Sequence, residues 1–493
     1  MTADVEDILI KGSIADLQSA YTTRRLSVSE AVRFYLARIE ALSRNGPGLN
    51  AVRSVAGDAL AVAAHADEAL AVDTARGPLF GIPVLLKDNI LTDDGMPASA
   101  GAAALAGFVP QRAATLVHRL RRAGAIVLGK TNMTEFADYV SDVMPSEFSG
   151  AGGVVANPHG CRYDRGQGSS VGSAAAVAAG LAPIAIGSET QNSIQTPASV
   201  TSVFGFKPTV GLVSRAGVVP LVPSQDSPGP LTRSVGDAAR VVAVLSGADS
   251  RDSLSLFARA DLVDSALMTL APCDLRIGVL RRTFTDRAEL ESVMPQYEAA
   301  LSKLARAGAT LIDPCDLPSA DALQAVRSSV FRTEFKAALD DFLTDHGAPC
   351  GIASLDDLIA WNEKHPEAVP YGQGLLLAAQ ATAGFDDPQY RLDRARDLAL
   401  SRAGGIEAAL SLGVQVLIAP MGTAAKCSGK AGSPVLAIPV GLDPAGLPFG
   451  VTLLAAPGQD ALLLAVGAAV GSVIGDRRVP QLHDSGAASR FRR

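Results

Sequence analysis

The sequence predicts an α/β protein built on a buried, largely parallel sheet. Short apolar runs bounded by glycine or proline, such as residues 82–86 and 125–128, alternate with segments that have helical periodicity. Of the 493 residues, 48% are apolar and 19% are charged, a composition that supports a large core. Strand-like runs return near the C-terminus, at 414–419, 435–439 and 450–454. Strands near both ends of the chain indicate one sheet and one domain.

This single predicted domain, residues 1–493, divides into four consecutive segments. They are an N-terminal helical segment, an alternating strand–helix core, a mostly helical segment, and a closing group of strands with one helix. In order, the four segments cover residues 1–75, 76–318, 319–412 and 413–493. Neither a charge run nor an internal repeat separates them.

Composition and cysteine usage exclude several classes of function. Lys and Arg number 43 against 50 Asp and Glu, a net charge of −7, which argues against a nucleic-acid partner. The five cysteines lie far apart without zinc-ligand spacing, so we expect reduced thiols, no metal and no other cofactor. The first residues lack a signal-peptide pattern, and apolar stretches end before the ~20 residues that span a bilayer. We therefore expect a cytoplasmic protein that does not bind membranes.

Residues 124–131, GAIVLGKT, match the phosphate-binding pattern GxxxxGK[ST] letter for letter. A phosphate-binding loop needs a strand before its first glycine and flexible backbone between the two glycines. Here the intervening residues AIVL form the best strand pattern of the neighbourhood, and the residues before them end a helix. The context favours a strand. Nucleotide binding remains an alternative that stabilisation by ATP and Mg²⁺ would support.

Two polar segments are candidates for chemistry, although either is also compatible with an ordinary loop. Residues 168–173, GSSVGS, open an Ala-rich helix, and a helix N-terminus offers free N–H groups and a positive dipole end. Residues 187–197, GSETQNSIQTP, lie between two apolar runs, at a position where binding sites form in α/β folds.

Lys87 is the candidate general base because it ends an apolar run. Loss of hydration disfavours the ammonium form, lowers the pKa, and leaves a neutral amine that can deprotonate a serine. None of the six histidines lies in a serine-containing strand–turn–helix such as GxSxG. The structural alternatives are an ion pair with Asp88 and a surface lysine whose ammonium reaches solvent.

The order of these segments resembles the amidase signature family. The chain contains, in sequence, GIPVLLKDN, AGAIVLGKTNMTEF, GSSVGSAAAVAAGLA, GSETQNSIQTPAS, FGFKPTVGLVSRAGVVPL, SQDSPGPLTRSVGDAA and GSPVLAIPVGLDPAGLPFGV. The resemblance covers most of the chain and is closest to the branch that contains bacterial peptide amidases. It implies one large twisted mixed sheet covered by helices on both faces. Residues 76–318 would be the signature core, and residues 319–412 would line a substrate funnel.

The resemblance also implies a Ser–cis-Ser–Lys triad. Lys87 matches the general base, Ser169 matches the bridging serine on a cis peptide bond, and Ser193, 24 residues further on, matches the nucleophile. Ser170 and Asp226 match positions that hold these groups in place. Backbone N–H groups of the loop that ends with the nucleophile would form the oxyanion hole. The four residues of that loop are Thr190, Gln191, Asn192 and Ser193.

A serine hydrolase that cleaves a linear amide C–N bond, other than a peptide bond, through an acyl-enzyme is the implied function. Carbamates (urethanes), aryl anilides and esters react through the same tetrahedral intermediate and are alternative substrates. We expect a small-molecule amide or carbamate as the partner and a monomer or homodimer as the assembly. The amidase component of a tRNA-dependent amidotransferase is less favoured, because that branch has two glycines before the nucleophile.

One departure concerns the residues just before Ser193, where the family usually has glycine and this chain has Gln191 and Asn192. After glycine, asparagine tolerates left-handed backbone best, so we expect the loop to form. The two amide side chains would narrow the acyl pocket or add a hydrogen bond to the substrate. The same departure leaves open a non-catalytic relative that binds an amide ligand.

Overall fold

A computed structural model describes residues 2–45, 48–72, 77–164, 167–258, 270–282 and 291–482. The strands in these ranges are β1 (Val52–Val55), β2 (Pro83–Lys87), β3 (Ile126–Thr131), β4 (Phe148–Ser149), β5 (Gly153–Val154), β6 (Ile184–Glu189), β7 (Phe204–Lys207), β8 (Ser227–Thr232), β9 (Arg276–Val279), β10 (Thr310–Ile312), β11 (Val416–Pro420), β12 (Val435–Leu442) and β13 (Pro448–Leu454).

The α-helices in the same ranges are α1 (Ala3–Lys11), α2 (Ile14–Thr22), α3 (Val28–Arg38), α4 (Ala59–Ala71), α5 (Thr115–Arg122), α6 (Val171–Ala178), α7 (Gln195–Val200), α8 (Val235–Leu245), α9 (Met294–Arg306), α10 (Ala320–Ala325), α11 (Val330–Asp345), α12 (Leu355–Lys364), α13 (Gly374–Gln380), α14 (Pro388–Ser401), α15 (Glu407–Leu410), α16 (Ala425–Ala431) and α17 (Asp460–Ile474). Short 3₁₀ turns connect some of them, and π-helical turns follow α3 and α14 at Ile39–Arg44 and Arg402–Ile406.

An 11-stranded mixed sheet forms the centre of the fold, in the order β1-β3-β2-β6-β8-β7-β12-β13-β11-β9-β10. Four pairs are parallel, namely β2–β3, β2–β6, β9–β11 and β9–β10, and the other pairs of this sheet are antiparallel. The prediction of a largely parallel sheet was therefore wrong, and the mixed sheet implied by the resemblance is confirmed. Antiparallel pairs need no crossover helix, as in β12–β13, which only residues 443–447 connect.

Both faces of the sheet are covered, and β11 shows how. Val416 and Ile418 belong to an apolar cluster with residues of α9 and α17. Leu417 and Ala419, which point to the opposite face because side chains alternate along a strand, pack with residues of α10, α15 and α16. None of the helices in the described ranges has the length and apolar character needed to cross a bilayer.

The N-terminal segment, predicted to be helical, also contains a strand. Ser27 caps α3 through its side chain, in agreement with the helical pattern. However, β1 pairs antiparallel with β3 at the end of the sheet. The helical prediction for this stretch was wrong, because four residues are too few for a strand periodicity to show. At the other end, residues 483–493 of the predicted closing segment lie outside the described residues.

The GAIVLGKT segment is a strand, as its context predicted. The strand β3 covers Ile126–Thr131, so the second glycine of the motif lies inside the sheet. A Cβ atom at Gly129 would collide with the carbonyl oxygen of Ser54 in β1. The side chain of Lys130 is fully buried and donates to the Ile90 carbonyl, so it is not presented to a phosphate. This geometry differs from that of a phosphate-binding loop.

We expect Gly129→Ala to destabilise the protein, because the new methyl group would force β1 away from β3. Overpacking of this kind costs about 1–3 kcal/mol, which a lowered melting temperature would report. Gly374→Ala is a matched control in the first turn of α13, where no atom lies within 4 Å of an added Cβ. Helices favour alanine over glycine, so the control should melt no earlier than the wild type. Equal losses in the two variants would contradict the close packing at Gly129.

Candidate active site

The predicted catalytic residues lie near the carboxyl ends of two neighbouring inner strands of the sheet, β2 and β6. Lys87 ends β2, and Ser188 lies at the end of β6. Because β2 and β6 are parallel neighbours, their carboxyl ends reach the same edge, where sites form in α/β folds. Ser169 lies just before α6, and Ser193 lies in the turn between β6 and α7. All four residues are buried.

Lys87 is fully buried, with three polar partners around its amine. Its Nζ lies 2.7 Å from Ser169 Oγ, 3.0 Å from the Ser188 carbonyl oxygen and 3.1 Å from Ser188 Oγ. A neutral amine has two N–H donors and one lone pair. When the N–H groups donate to the two Ser188 oxygens, the lone pair remains for the Ser169 hydroxyl. The arrangement can therefore move a proton from Ser169 to Lys87.

Burial lowers the pKa of Lys87 to about 7, and the negative charges of Asp226, Glu189 and Asp138 oppose that shift. The sequence prediction of a desolvated lysine with a lowered pKa is confirmed. The alternative of an ion pair with Asp88 was wrong, because Asp88 Oδ2 accepts from Arg53 at 2.8 Å instead. A large fraction of Lys87 is thus neutral near pH 7.

Close packing holds the segment before α6. The peptide bond between Gly168 and Ser169 is cis, as the resemblance implied. A Cβ atom at residue 168 would collide with Thr134 Oγ1, so any larger residue there would displace the Thr134 side chain. The backbone N–H of Thr134 donates to the carbonyl oxygen of Ser169 at 3.1 Å. Residues that follow β3 therefore position the Ser169 hydroxyl beside Lys87.

Ser170 joins three parts of the site. Its hydroxyl donates to the Ser188 carbonyl at 3.1 Å and accepts from the Ser188 N–H at 3.3 Å. Its backbone N–H donates to the Ser193 carbonyl at 3.1 Å. The start of α6 is thereby tied both to β6 and to the turn that carries Ser193.

Asp226 connects the turn after β6 to a neighbouring loop. Its Oδ1 accepts from Thr190 Oγ1 at 2.6 Å, and its Oδ2 accepts from the N–H groups of Leu221 and Val222 at 2.8 and 2.9 Å. A carboxylate that accepts several hydrogen bonds holds its donors firmly, because these bonds are charge-assisted. Thr190 and the loop before β8 therefore form one connected unit.

Glu189 is a structural residue of the site that sequence reasoning missed. Its Oε2 accepts from the N–H groups of Ile194 and Gln195 at 2.6 and 2.8 Å, and its Oε1 accepts from Gln195 Nε2 at 2.6 Å. This carboxylate satisfies the first N–H groups of α7, directly after Ser193. Burial raises the pKa of Glu189. An acidic residue shortly before a short helix was the available signal.

Ser188 and Asn89 were also missed, because nothing in their local sequence distinguishes them from other polar loop residues. Asn89 Nδ2 donates to Ser188 Oγ at 2.9 Å. Ser188 Oγ in turn contacts Lys87, so Asn89 acts on the lysine through one intervening hydroxyl. Only the approach of β2 and β6 brings these groups together.

The Gln191 side chain, where the family usually has glycine, turns toward a neighbouring loop and a helix. Its Nε2 donates to Gln225 Oε1 at 3.3 Å. A Cβ atom at Gly429 in α16 would lie 2.6 Å from Gln191 Cγ, so a glycine there makes room for the larger side chain. Both Gln191 and Asn192 are partly exposed.

In the ranges that the structure describes, no group of three His, Cys, Asp or Glu residues could hold a metal ion.

These features define a class of protein. A family model described as Amidase matches residues 30–430, which is most of the chain. The chain belongs to the amidase signature family, whose enzymes hydrolyse amide C–N bonds, and the resemblance is confirmed.

Particular relatives agree with this assignment. The crystal structure of a peptide amidase from Stenotrophomonas maltophilia is 39% identical, covers 95% of this chain and 98% of its own, and superposes with a TM-score of 0.88. A probable amidase of Arabidopsis thaliana is 33% identical, over 90% of this chain and 86% of its own length. One component of the glutamyl-tRNA(Gln) amidotransferase of a Synechococcus strain is 33% identical, over 92% of this chain and 95% of its own.

We expect Glu189→Gln to lower the melting temperature, because an amide has one acceptor oxygen where the carboxylate has two, so buried donors of α7 would lose a partner. Leaving buried donors without an acceptor costs about 1–3 kcal/mol. Glu367→Gln, the same substitution at an exposed site, should leave the melting temperature unchanged. Unchanged melting of the Glu189 variant would show that this carboxylate does not hold the turn.

Proposed function

We propose that the protein is a serine hydrolase that cleaves the linear C–N bond of a small amide other than a peptide bond. In this proposal Ser193 is the nucleophile, Ser169 is the proton relay and Lys87 is the general base. The observation that carries the proposal is the buried Lys87 amine, 2.7 Å from Ser169 Oγ, with a pKa lowered to about 7. A base of this pKa is suited to work near neutral pH.

The proposed reaction has two stages. Neutral Lys87 takes the proton of Ser169 while Ser169 takes the proton of Ser193, and Ser193 Oγ bonds to the amide carbon. The C–N bond then breaks as the proton returns through Ser169 to the leaving nitrogen, and an ester to Ser193 remains. Water attacks this ester and loses a proton along the same path. Breaking of the ester bond releases the acid and restores Ser193.

The turn before Ser193 supports an oxyanion hole. The carbonyls of Gln191 and Asn192 accept from Gln195 Nε2 at 2.7 Å and from Thr196 N at 3.0 Å, both in α7. In a trans peptide the N–H points away from the C=O. The N–H groups of Asn192 and Ser193, which belong to these same two peptides, therefore point away from α7. We infer that they, with the N–H groups of Thr190 and Gln191, face the carbonyl oxygen of the substrate, each donor stabilising the oxyanion by ~3 kcal/mol.

The similarity to a peptide amidase and to a probable amidase favours an amide as the substrate. Carbamates, aryl anilides and esters are alternatives, since the same triad reacts with each. The contact between Lys87 and Ser169 favours catalysis over passive binding of an amide. A small-molecule substrate, a cytoplasmic location and a monomer or homodimer belong to this proposal.

The first test is labelling with a serine-reactive fluorophosphonate, followed by intact-protein mass spectrometry. We expect one adduct on Ser193, and turnover on at least one member of a panel of amides, carbamates, anilides and esters. Ser193→Ala should abolish both labelling and turnover without changing the melting temperature. Ser199→Ala, a buried serine of α7 whose hydroxyl donates within its own helix, is the matched control and should keep both. Turnover by the Ser193 variant would refute the assignment.

The pH dependence of kcat/KM follows from the charge of Lys87. The reactive form is the neutral amine, and its pKa is about 7. On an uncharged substrate, kcat/KM should therefore rise with pH through about 7 and fall tenfold per unit at lower pH. A flat profile between about pH 5 and 9 would contradict a lysine base with this pKa.

A further inference from the structure

A cavity of about 440 Å³ leads from the surface to the partners of Lys87. Its buried end is formed by Asn89, Ser188 and Thr190, and its exposed end by residues that include Arg112 and Asp341. One water in the liquid occupies about 30 Å³, so the cavity can hold several. Solvent can thus approach the hydrogen-bond partners of Lys87 along this cavity, on the side of the lysine where Ser188 lies.

The Ser188 hydroxyl, which lines this cavity, has a hydrogen atom left to donate. Its oxygen accepts from Asn89 Nδ2 at 2.9 Å and from Lys87 Nζ at 3.1 Å. A hydroxyl has two lone pairs and one O–H donor. Both lone pairs are therefore used, and no described residue accepts the remaining hydrogen.

Asn89 presents the complementary group. Its side-chain oxygen Oδ1 is buried and has no hydrogen-bond partner among the described residues, although its Nδ2 is bonded to Ser188. Asn89 is 4% exposed and lines the same cavity. Buried polar groups are almost always hydrogen-bonded, and ordered water commonly supplies the missing partner. An unmet donor and an unmet acceptor thus lie on adjoining side chains.

The geometry points to a bound water at the inner end of the cavity, which accepts the Ser188 O–H, donates to Asn89 Oδ1, and connects Lys87 to solvent independently of Ser169. This inference rests on the proposed role of Lys87 as the base. Water is the ligand suited to this position because it is small and both donates and accepts.

The bound water stabilises the protonated form of Lys87. A hydroxyl that donates to water is a stronger acceptor, because neighbouring hydrogen bonds polarise one another. The ammonium can also pass a proton to Ser188 Oγ while Ser188 passes its own proton to the water, which yields neutral Lys87 and a hydronium ion in the cavity. The charged groups that act on Lys87 are Asp226, Glu189 and Asp138, and each favours the ammonium. The water adds to the stabilisation of the ammonium by these carboxylates, and so offsets part of the lowering of the Lys87 pKa by burial.

The functional test compares pH profiles of kcat/KM for the wild type, Ser188→Ala and Asn89→Leu. Ser188→Ala removes a direct partner of Lys87 together with the donor to the water, whereas Asn89→Leu removes the acceptor of the water and none of the atoms in contact with Lys87 Nζ. In both variants the ammonium loses stabilisation, so the midpoint should move about one unit to lower pH. Structural damage alone would lower the plateau and leave the midpoint in place. Asp341→Asn, at the exposed end of the cavity, is the control and should keep the wild-type midpoint. If the midpoint were unchanged in both Ser188→Ala and Asn89→Leu, the proposed effect of the water on Lys87 would be overturned.

The structural test needs no turnover and uses the wild-type protein. A high-resolution crystal structure should show water about 2.7–3.2 Å from both Ser188 Oγ and Asn89 Oδ1. Absence of water at that position would overturn the inference, whatever the activity. A wild type that neither labels nor turns over would instead refute the proposed function. The crystal structure would still show whether a water is bound between Ser188 Oγ and Asn89 Oδ1.

Discussion

The burial of one amine at the end of β2 is the constraint on which the rest of the site depends. An ammonium removed from water is costly, and burial accordingly lowers the pKa of Lys87 to about 7. The amine must then find its hydrogen-bond partners inside the protein. The oxygens of Ser169 and Ser188 meet that need without adding a full negative charge in contact with Nζ. The amine is thereby available as a base.

The nearby carboxylates are occupied by backbone and hydroxyl donors. Glu189 accepts from two N–H groups at the start of α7, and Asp226 accepts from Thr190 and from two N–H groups of the loop before β8. A carboxylate in direct contact with Lys87 would favour the ammonium and weaken the base. The same two side chains also hold the turn that carries Ser193. Their hydrogen bonds therefore keep the carboxylates away from direct contact with Lys87 and also fix the conformation of the turn.

The turn before Ser193 shows how the fold accommodates a departure from the family pattern. The side chain of Gln191 is directed to Gln225 and packs where Gly429 leaves space. Backbone carbonyls in this turn still bond to α7, so the orientation of the peptides does not depend on glycine. The difference at this position therefore changes the surroundings of the turn without interrupting its hydrogen bonds to α7.

The sequence by itself determined the α/β class and the strand in GAIVLGKT, because these depend on local patterns of apolar and polar residues. Through its motifs it also determined the family, from which the triad of Lys87, Ser169 and Ser193 was predicted. Strand direction, the short strand β1 and the roles of Glu189 and Asn89 were decided only by the tertiary structure. Strand directions follow from how distant segments pair, and a four-residue strand carries too little periodicity to be recognised. The partners of a buried polar side chain are chosen by the approach of strands and loops far apart in the chain, and no local pattern records that approach.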